Sequence, residues 1–166
     1  MKLISNPALS FTFAGSELIR NAEGFSAKWY EDPRGNPTIG YGFTRTGFAK
    51  EYLSPFILNP SKLMAISEAR VILSDIITNI NDDLIAQLNF FDELSINKQA
   101  VLIDMAYNLG MTQFLTFDTF LSYLKAGRID DAVNDLTNTL WYNQVKNRAI
   151  RDCLNLYAQD KNYYLI

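Results

Sequence analysis

The chain has 166 residues, 48% of them hydrophobic and 20% charged, which suits one globular domain and excludes extensive disorder. The formal net charge is −3 and there is no histidine, so the basic excess of a small nucleic-acid binder, imidazole-based triads and HExxH zinc chemistry are all missing. The one cysteine, Cys153, excludes an internal disulfide and a multi-cysteine metal site, and no apolar run approaches the ~20 residues of a membrane helix.

The opening Met1-Lys2-Leu3-Ile4-Ser5-Asn6-Pro7 has one cation and a broken apolar stretch, and makes a poor secretory signal. A first helix is expected over roughly Ser16–Ala22, with Leu18, Ile19 and Ala22 as its apolar face and Gly24 as its stop. Lys28-Trp29-Tyr30 reads as a strand, Asp32-Pro33-Arg34-Gly35-Asn36-Pro37 as dense turn chemistry, and Thr38-Ile39-Gly40-Tyr41-Gly42-Phe43 as a second strand. The glycines of that second strand leave room for something to approach the backbone.

From Ser67, a plausible N-cap, Ile72, Ile76, Ile80 and Leu84 step by four down one face of a helix reaching about Leu88. Such a helix spans roughly 30 Å at 1.5 Å per residue, enough to bridge two lobes. Ser95 can cap the next helix, whose body from Ala100 to Tyr107 is apolar on nearly every side and is ended by Gly110. Shorter helices follow at about Asp118–Ala126, Asp130–Asn138 and Asn147–Tyr157. The acidic positions Asp75, Asp82, Asp83, Asp92 and Glu93 read as solvated helix faces. The fold class is therefore α+β: a small N-terminal β-hairpin lobe over residues 1–66 and a larger helical lobe over 67–166, joined by the long helix into one two-lobed domain.

Glu23 stands at the end of the first helix, Asp32 lies nine residues later in the turn, and Thr38 follows six after that. A helix end followed by a hairpin folds two carboxylates and a hydroxyl onto one cleft. Glycosidic cleavage needs that set: one acid protonates the leaving oxygen, while an ionised partner faces the cationic sugar or drives water. A glutamate beside Phe25 or Trp29 would have its charged form disfavoured, whereas an aspartate in a polar turn stays ionised. Taken singly, Glu23 is a solvated helix-end charge, Asp32 a turn former with Glu31 as its rival, and Thr38 a strand residue. Only the spacing of the three selects them. Trp29, Trp141 and Tyr142 read more readily as core than as sugar platforms, and Cys153 as a small buried apolar residue.

The run Leu18-Ile19-Arg20-Asn21-Ala22-Glu23-Gly24 through Thr38-Ile39-Gly40-Tyr41-Gly42 resembles the catalytic signature of the phage-type lysozymes (endolysins, muramidases), in particular the T-even kind. Tyr107-Asn108-Leu109-Gly110, Trp141-Tyr142-Asn143-Gln144 and Asn147-Arg148-Ala149-Ile150-Arg151 follow the same family's order, so the likeness covers roughly residues 16–157. The resemblance implies Glu23 as general acid and Asp32 as the stabilising or water-assisting carboxylate. It implies that Thr38 holds the attacking water, which favours inversion, and that Arg148 orients the glutamate. It further places Thr44, Tyr107, Phe120 and Asp135 at sugar-contacting positions and Asn108 at the cleft floor. Phe120 and Asp135 differ in type from the neutral polar residues expected there, the family's Gly-His continues here as Gly42-Phe43, and its arginine before the tryptophan is Leu140.

The implied function is hydrolysis of the β-1,4 bond between N-acetylmuramic acid and N-acetylglucosamine in peptidoglycan by carboxylate acid/base catalysis, with neither cofactor nor metal. The expected partner is the glycan strand, not nucleic acid or membrane, and the expected state is a monomer. The protein would accumulate in the cytoplasm without a signal peptide and act on the periplasmic wall. The alternative is a non-catalytic peptidoglycan-binding or toxin module on the same frame, which the lost Gly-His, the lost arginine and a sequence pI of about 4.9 favour. A helical adaptor would have no need of the hairpin and its carboxylates.

Overall fold

The computed structural model describes residues 3–5, 11–158 and 163–165. Of the opening stretch read as a poor signal, only Leu3–Ser5 falls within them. This short strand, β1 (Leu3–Ser5), leads into α1 (Phe11–Glu23), which starts five residues before the expected Ser16. Gly15 does not break the helix because it is a packing contact: a β-carbon there would lie 3.2 Å from Cγ2 of Ile103. Ala14 and Leu18 on the same face are fully buried in a cluster with Ala100.

A three-stranded antiparallel sheet follows, in the order β2 (Ser26–Glu31), β3 (Pro37–Gly40), β4 (Phe43–Thr44). The single strand expected over residues 38–43 is thus two, because Gly40 at φ +67° and Gly42 at φ +79° turn the chain between them. In this register Thr38 sits opposite Tyr30 on one side and Thr44 on the other, while Ile39 faces Phe43. Alternation then puts Tyr30, Thr38 and Thr44 in a row across one face, with Ile39 and Phe43 on the other, buried in the main core. Phe43, which replaces the family's histidine, meets Tyr41 edge-on at a centroid distance of 6.4 Å.

A 3-10 turn at Lys50–Leu53 and the five-residue α2 (Ser54–Leu58) bring the chain to α3 (Ile66–Gln87). Its N-cap is Ala65 rather than Ser67, and the Ala65 N–H is satisfied by the Glu68 carboxylate at 2.8 Å. Ile72, Ile76, Ile80 and Leu84 are buried as the spacing requires. Next come α4 (Ile96–Leu109), capped in position by Ser95 and closed by Gly110, and the single turn α5 (Met111–Phe114). The last helices are α6 (Asp118–Lys125), α7 (Ile129–Thr137), α8 (Leu140–Val145) and α9 (Asn147–Tyr157). Finally β5 (Tyr163–Leu165) pairs antiparallel with β1, so the described ends of the chain meet. With α1 packed on α4, the helix that carries Glu23 is held by the central helix of the bundle.

Candidate active site

A trench of about 1170 Å³ is lined by Glu23, Asp32, Thr38 and Thr44, together with Tyr30, Tyr107 and Asn108. The C-terminal end of α1 supplies Glu23, the polar face of the sheet supplies the row Tyr30–Thr38–Thr44, and the end of α4 adds Tyr107 and Asn108. Glu31, the rival carboxylate, is not among the residues that line it.

The turn between β2 and β3 is organised by Asp32 itself. Oδ1 accepts the backbone N–H groups of Arg34 and Asn36, both at 2.8 Å, and Oδ2 accepts from the Asn36 side chain at 3.0 Å. Backbone bonds from Asp32 N–H to Asn36 O and from Gly35 N–H to Asp32 O close the loop. These donors, Asn36 foremost, hold the solvent-facing Asp32 carboxyl below its ordinary value, so it is ionised as the polar turn demands. Thr38 donates its hydroxyl hydrogen to the Asn36 carbonyl at 2.9 Å, which leaves its oxygen free to accept.

Of the neighbours expected for Glu23, Trp29 is absent and Arg148 is present. Trp29 is turned away, its indole N–H donating to the Phe56 carbonyl and its ring lying 5.0 Å from the Arg45 guanidinium. Arg148 Nη1 donates to Glu23 Oε1 at 2.6 Å. A β-carbon on Gly42 would lie 2.7 Å from Glu23 Oε2, so what approaches the glycine-rich backbone is the glutamate itself.

The Arg148 side chain is 9% exposed, and Asp104 on α4 grips it from behind: Nε reaches Oδ2 at 2.8 Å and Nη2 reaches Oδ1 at 2.9 Å. Arg151 joins the same group, donating to Asp104 Oδ2 at 2.7 Å, to Asp152 Oδ1 at 2.8 Å and to the Leu18 carbonyl of α1 at 2.9 Å. Burial opposes the charge on Arg148, but Asp104 and then Glu23 outweigh it and hold the guanidinium above its ordinary value. Burial likewise opposes ionisation of Asp104, yet Arg148 and Arg151 bring its carboxyl below the usual range. Asp152 goes the other way: burial first, then the charge of Asp104, push it well above that range, so it keeps its proton. Asp104 is thus shared by two cations, Arg148 and Arg151, and Arg148 reaches on from it to Glu23.

Tyr107 donates to the Tyr41 carbonyl at 2.6 Å and stacks on Phe48 at 6.4 Å. Burial, followed by the charge of Glu23, holds its hydroxyl well above the ordinary value. Asn108 Oδ1 accepts the Trp141 indole N–H at 2.8 Å; Trp141 is a buried core residue, edge-on to Phe117. Asp135 lines a second cavity that adjoins the trench. Phe120 does not reach either one: it is 0% exposed, packed in the main core on α6. Its position follows from the apolar stripe Phe120, Leu121 and Leu124 that α6 must bury, which overrides the alignment with a sugar contact. Cys153 is buried as expected, with burial pushing its thiol up to about 11.

Sequence reasoning passed over two members of the site. Tyr30 was legible only as a strand aromatic; burial and then Glu23 and Asp32 push its hydroxyl above the ordinary value, leaving a neutral phenol beside both acids. Asp104 had a signal, being the sole charge in an otherwise apolar helix body, where only a buried cation would make it tolerable.

A helix-borne glutamate and a turn-borne aspartate across a trench, on an α+β frame, define the lysozyme class. The chain matches the family model described as phage lysozyme over residues 20–155, and it belongs to the phage lysozyme family. It is 26% identical over 161 residues to the pre-baseplate central spike protein Gp5 of Enterobacteria phage T4, an alignment taking in 88% of this chain and 27% of Gp5. The chain therefore spans about a quarter of that relative's length. Among the described residues, no helix is long and apolar enough to cross a membrane.

Proposed function

We propose that this chain is a muramidase that hydrolyses the β-1,4 bond between N-acetylmuramic acid and N-acetylglucosamine. The observation that carries this reading is the shared trench of Glu23, Asp32 and Thr38. Glu23 is the general acid. Its Oε1 is occupied by Arg148, so the proton it delivers rides on Oε2, the oxygen next to Gly42 where no side chain blocks access. Asp32, ionised and fixed by the Asn36 donors, faces the oxocarbenium-like sugar. Thr38 Oγ1 accepts one hydrogen of the attacking water, Asp32 accepts the other, and the water's lone pair is left for the anomeric carbon. Thr44, Tyr107, Asn108 and Asp135 serve as contacts along the glycan.

The test is the release of new reducing ends from purified sacculi. The wild type should release them, and Glu23→Gln should lower the rate on the order of 10²–10⁴-fold with an unchanged far-UV spectrum. The anomer formed at first turnover should be inverted. Tight binding of sacculi with no reducing ends released by the wild type would select the wall-binding module instead.

A further inference from the structure

A third cavity, of about 580 Å³, lies between the C-terminal end of α1 and the start of α9. Its polar lining is Asn21, Asn147, Arg148 and Arg151, and among the described residues no carboxylate lines it. Ala22, Val145 and Ile150 complete the wall, and Val145 is the one residue it shares with the trench. Glu23 lines the trench and not this cavity, whereas Arg148 lines this cavity and not the trench. Their 2.6 Å ion pair therefore stands as the partition between the two spaces. Both arginine side chains are more than nine-tenths buried, at 9% and 6% exposed. A guanidinium has five N–H groups, and four on each arginine are spoken for. Arg148 gives three to Asp104 and one to Glu23. Arg151 gives two to Asp152, one to Asp104 and one to the Leu18 carbonyl. One Nη1 hydrogen on each is left without an acceptor among the described residues, and at this burial that calls for a ligand. The start of α9 adds to the same polarity, having neither a side-chain cap nor an acid in its first turn.

We propose that this cavity binds a phosphate group, free or esterified, and that the bound phosphate competes with Glu23 for the charge of Arg148. Each arginine has one N–H left to give, so neither can grip a carboxylate in the usual two-pronged pairing. Single donors from two guanidinium groups, with the amides of Asn21 and Asn147 beside them, suit an oxyanion with three acceptor oxygens. The charge balance favours it as well. Asp152 keeps its proton, so Asp104 is the one buried carboxylate facing Arg148 and Arg151 whenever Glu23 is protonated. Phosphate supplies the second negative charge. A phosphate against Arg148 in turn favours the protonated form of Glu23 over the ionised one, and by reciprocity a protonated Glu23 tightens the phosphate. Asp104 and Tyr107 on α4, Arg151 and Asp152 on α9 and Tyr30 on β2 also face this pair, and they are common to both states. The site stands independently of the muramidase reading. Its consequence for rate, that hydrolysis persists to higher pH with phosphate present, rests on that reading.

Calorimetric titration of the full chain with inorganic phosphate and with glycerol phosphate, each against chloride at matched ionic strength, tests the site. Both should bind saturably where chloride does not, and the tighter of the two identifies the source as the free ion or an ester. Asn147→Asp puts a negative charge into the cavity and should weaken phosphate about tenfold. An acid in the first turn of a helix favours folding, so its far-UV spectrum should be unchanged. The pH titration of the Glu23 carboxyl carbon by NMR reads the coupling. Saturating phosphate should move it upward in the wild type and leave it in place in Asn147→Asp. No saturable binding, equal binding of chloride, or full affinity in Asn147→Asp overturns the site. Saturable binding with an unmoved Glu23 titration overturns the competition for Arg148. Binding and the shifted titration in a chain that releases no reducing ends from sacculi refute the muramidase reading alone.

Discussion

Gly42 joins local conformation to chemistry at a single position. Its φ of +79° disfavours any other residue, and the Glu23 carboxylate occupies the space of the missing side chain. Gly42→Ala should cost about 1–2 kcal/mol in stability from the backbone alone. Its activity should fall further than that loss explains, because Glu23 must move; the comparison is thermal melting against kcat. Asp32 is held below its ordinary value by Asn36, so its ionised state is present above that ordinary value and is lost only as pH falls through the lower folded one. Asn36→Ala removes the side-chain donor and should shift the acid limb of the pH–rate profile upward, towards an unperturbed carboxylate. Glu23, Asp32 and Thr38 could be picked out of the sequence by their spacing, and all three line one trench. Phe120 was misplaced because a residue's depth depends on which helix face is buried, and the alignment of a single position does not carry that.

Helices rather than loops hold the acid in place. Asp104 on α4, Arg148 and Arg151 on α9 and the Leu18 carbonyl on α1 are tied by the hydrogen bonds of one buried group. Asp104→Asn leaves two buried guanidinium groups short of a counter-charge and should cost about 3–5 kcal/mol, measured by urea unfolding. Asp152 gives the opposite sign of pH dependence. Its folded value lies above the unfolded one, so the native state binds a proton that the unfolded chain has released, and stability falls as pH rises from about 4 towards the folded value. Asp152→Asn carries its hydrogens permanently and should flatten that fall in melting temperature. Helix existence and type were readable from apolar periodicity, with α9 matching to the residue and α6 within one. The start of α1 was not, because Gly15 looks like punctuation until Ile103 is seen against it. Nor were α2, α5 and α8, which are too short to show a period.

Over the whole molecule, the proposed hydrolysis would bring a net charge of −3 up to an anionic wall. A basic enzyme is drawn in at long range and loses that attraction when salt is added. This one should show the reverse: hydrolysis of sacculi rises as ionic strength goes from ~0.01 M to ~0.15 M, where the screening length drops from about 30 Å to about 8 Å. The division into sheet and helices could be read from the turn chemistry of Asp32–Pro37 and the helical periodicity from Ser67 onward, since both are local properties. The pairing of β1 with β5 could not, because it joins residues at opposite ends of the sequence and depends on everything folded between them. The division of anchoring described above has a mechanical consequence. Glu23 is bolted to the helical body through Arg148, whereas Asp32 rides on the sheet, so any flexing of one against the other changes the working distance between proton donor and anion. Warming should therefore silence the enzyme several degrees before its helices unwind, and a crosslink from the Asp32 turn to α8 should close that interval.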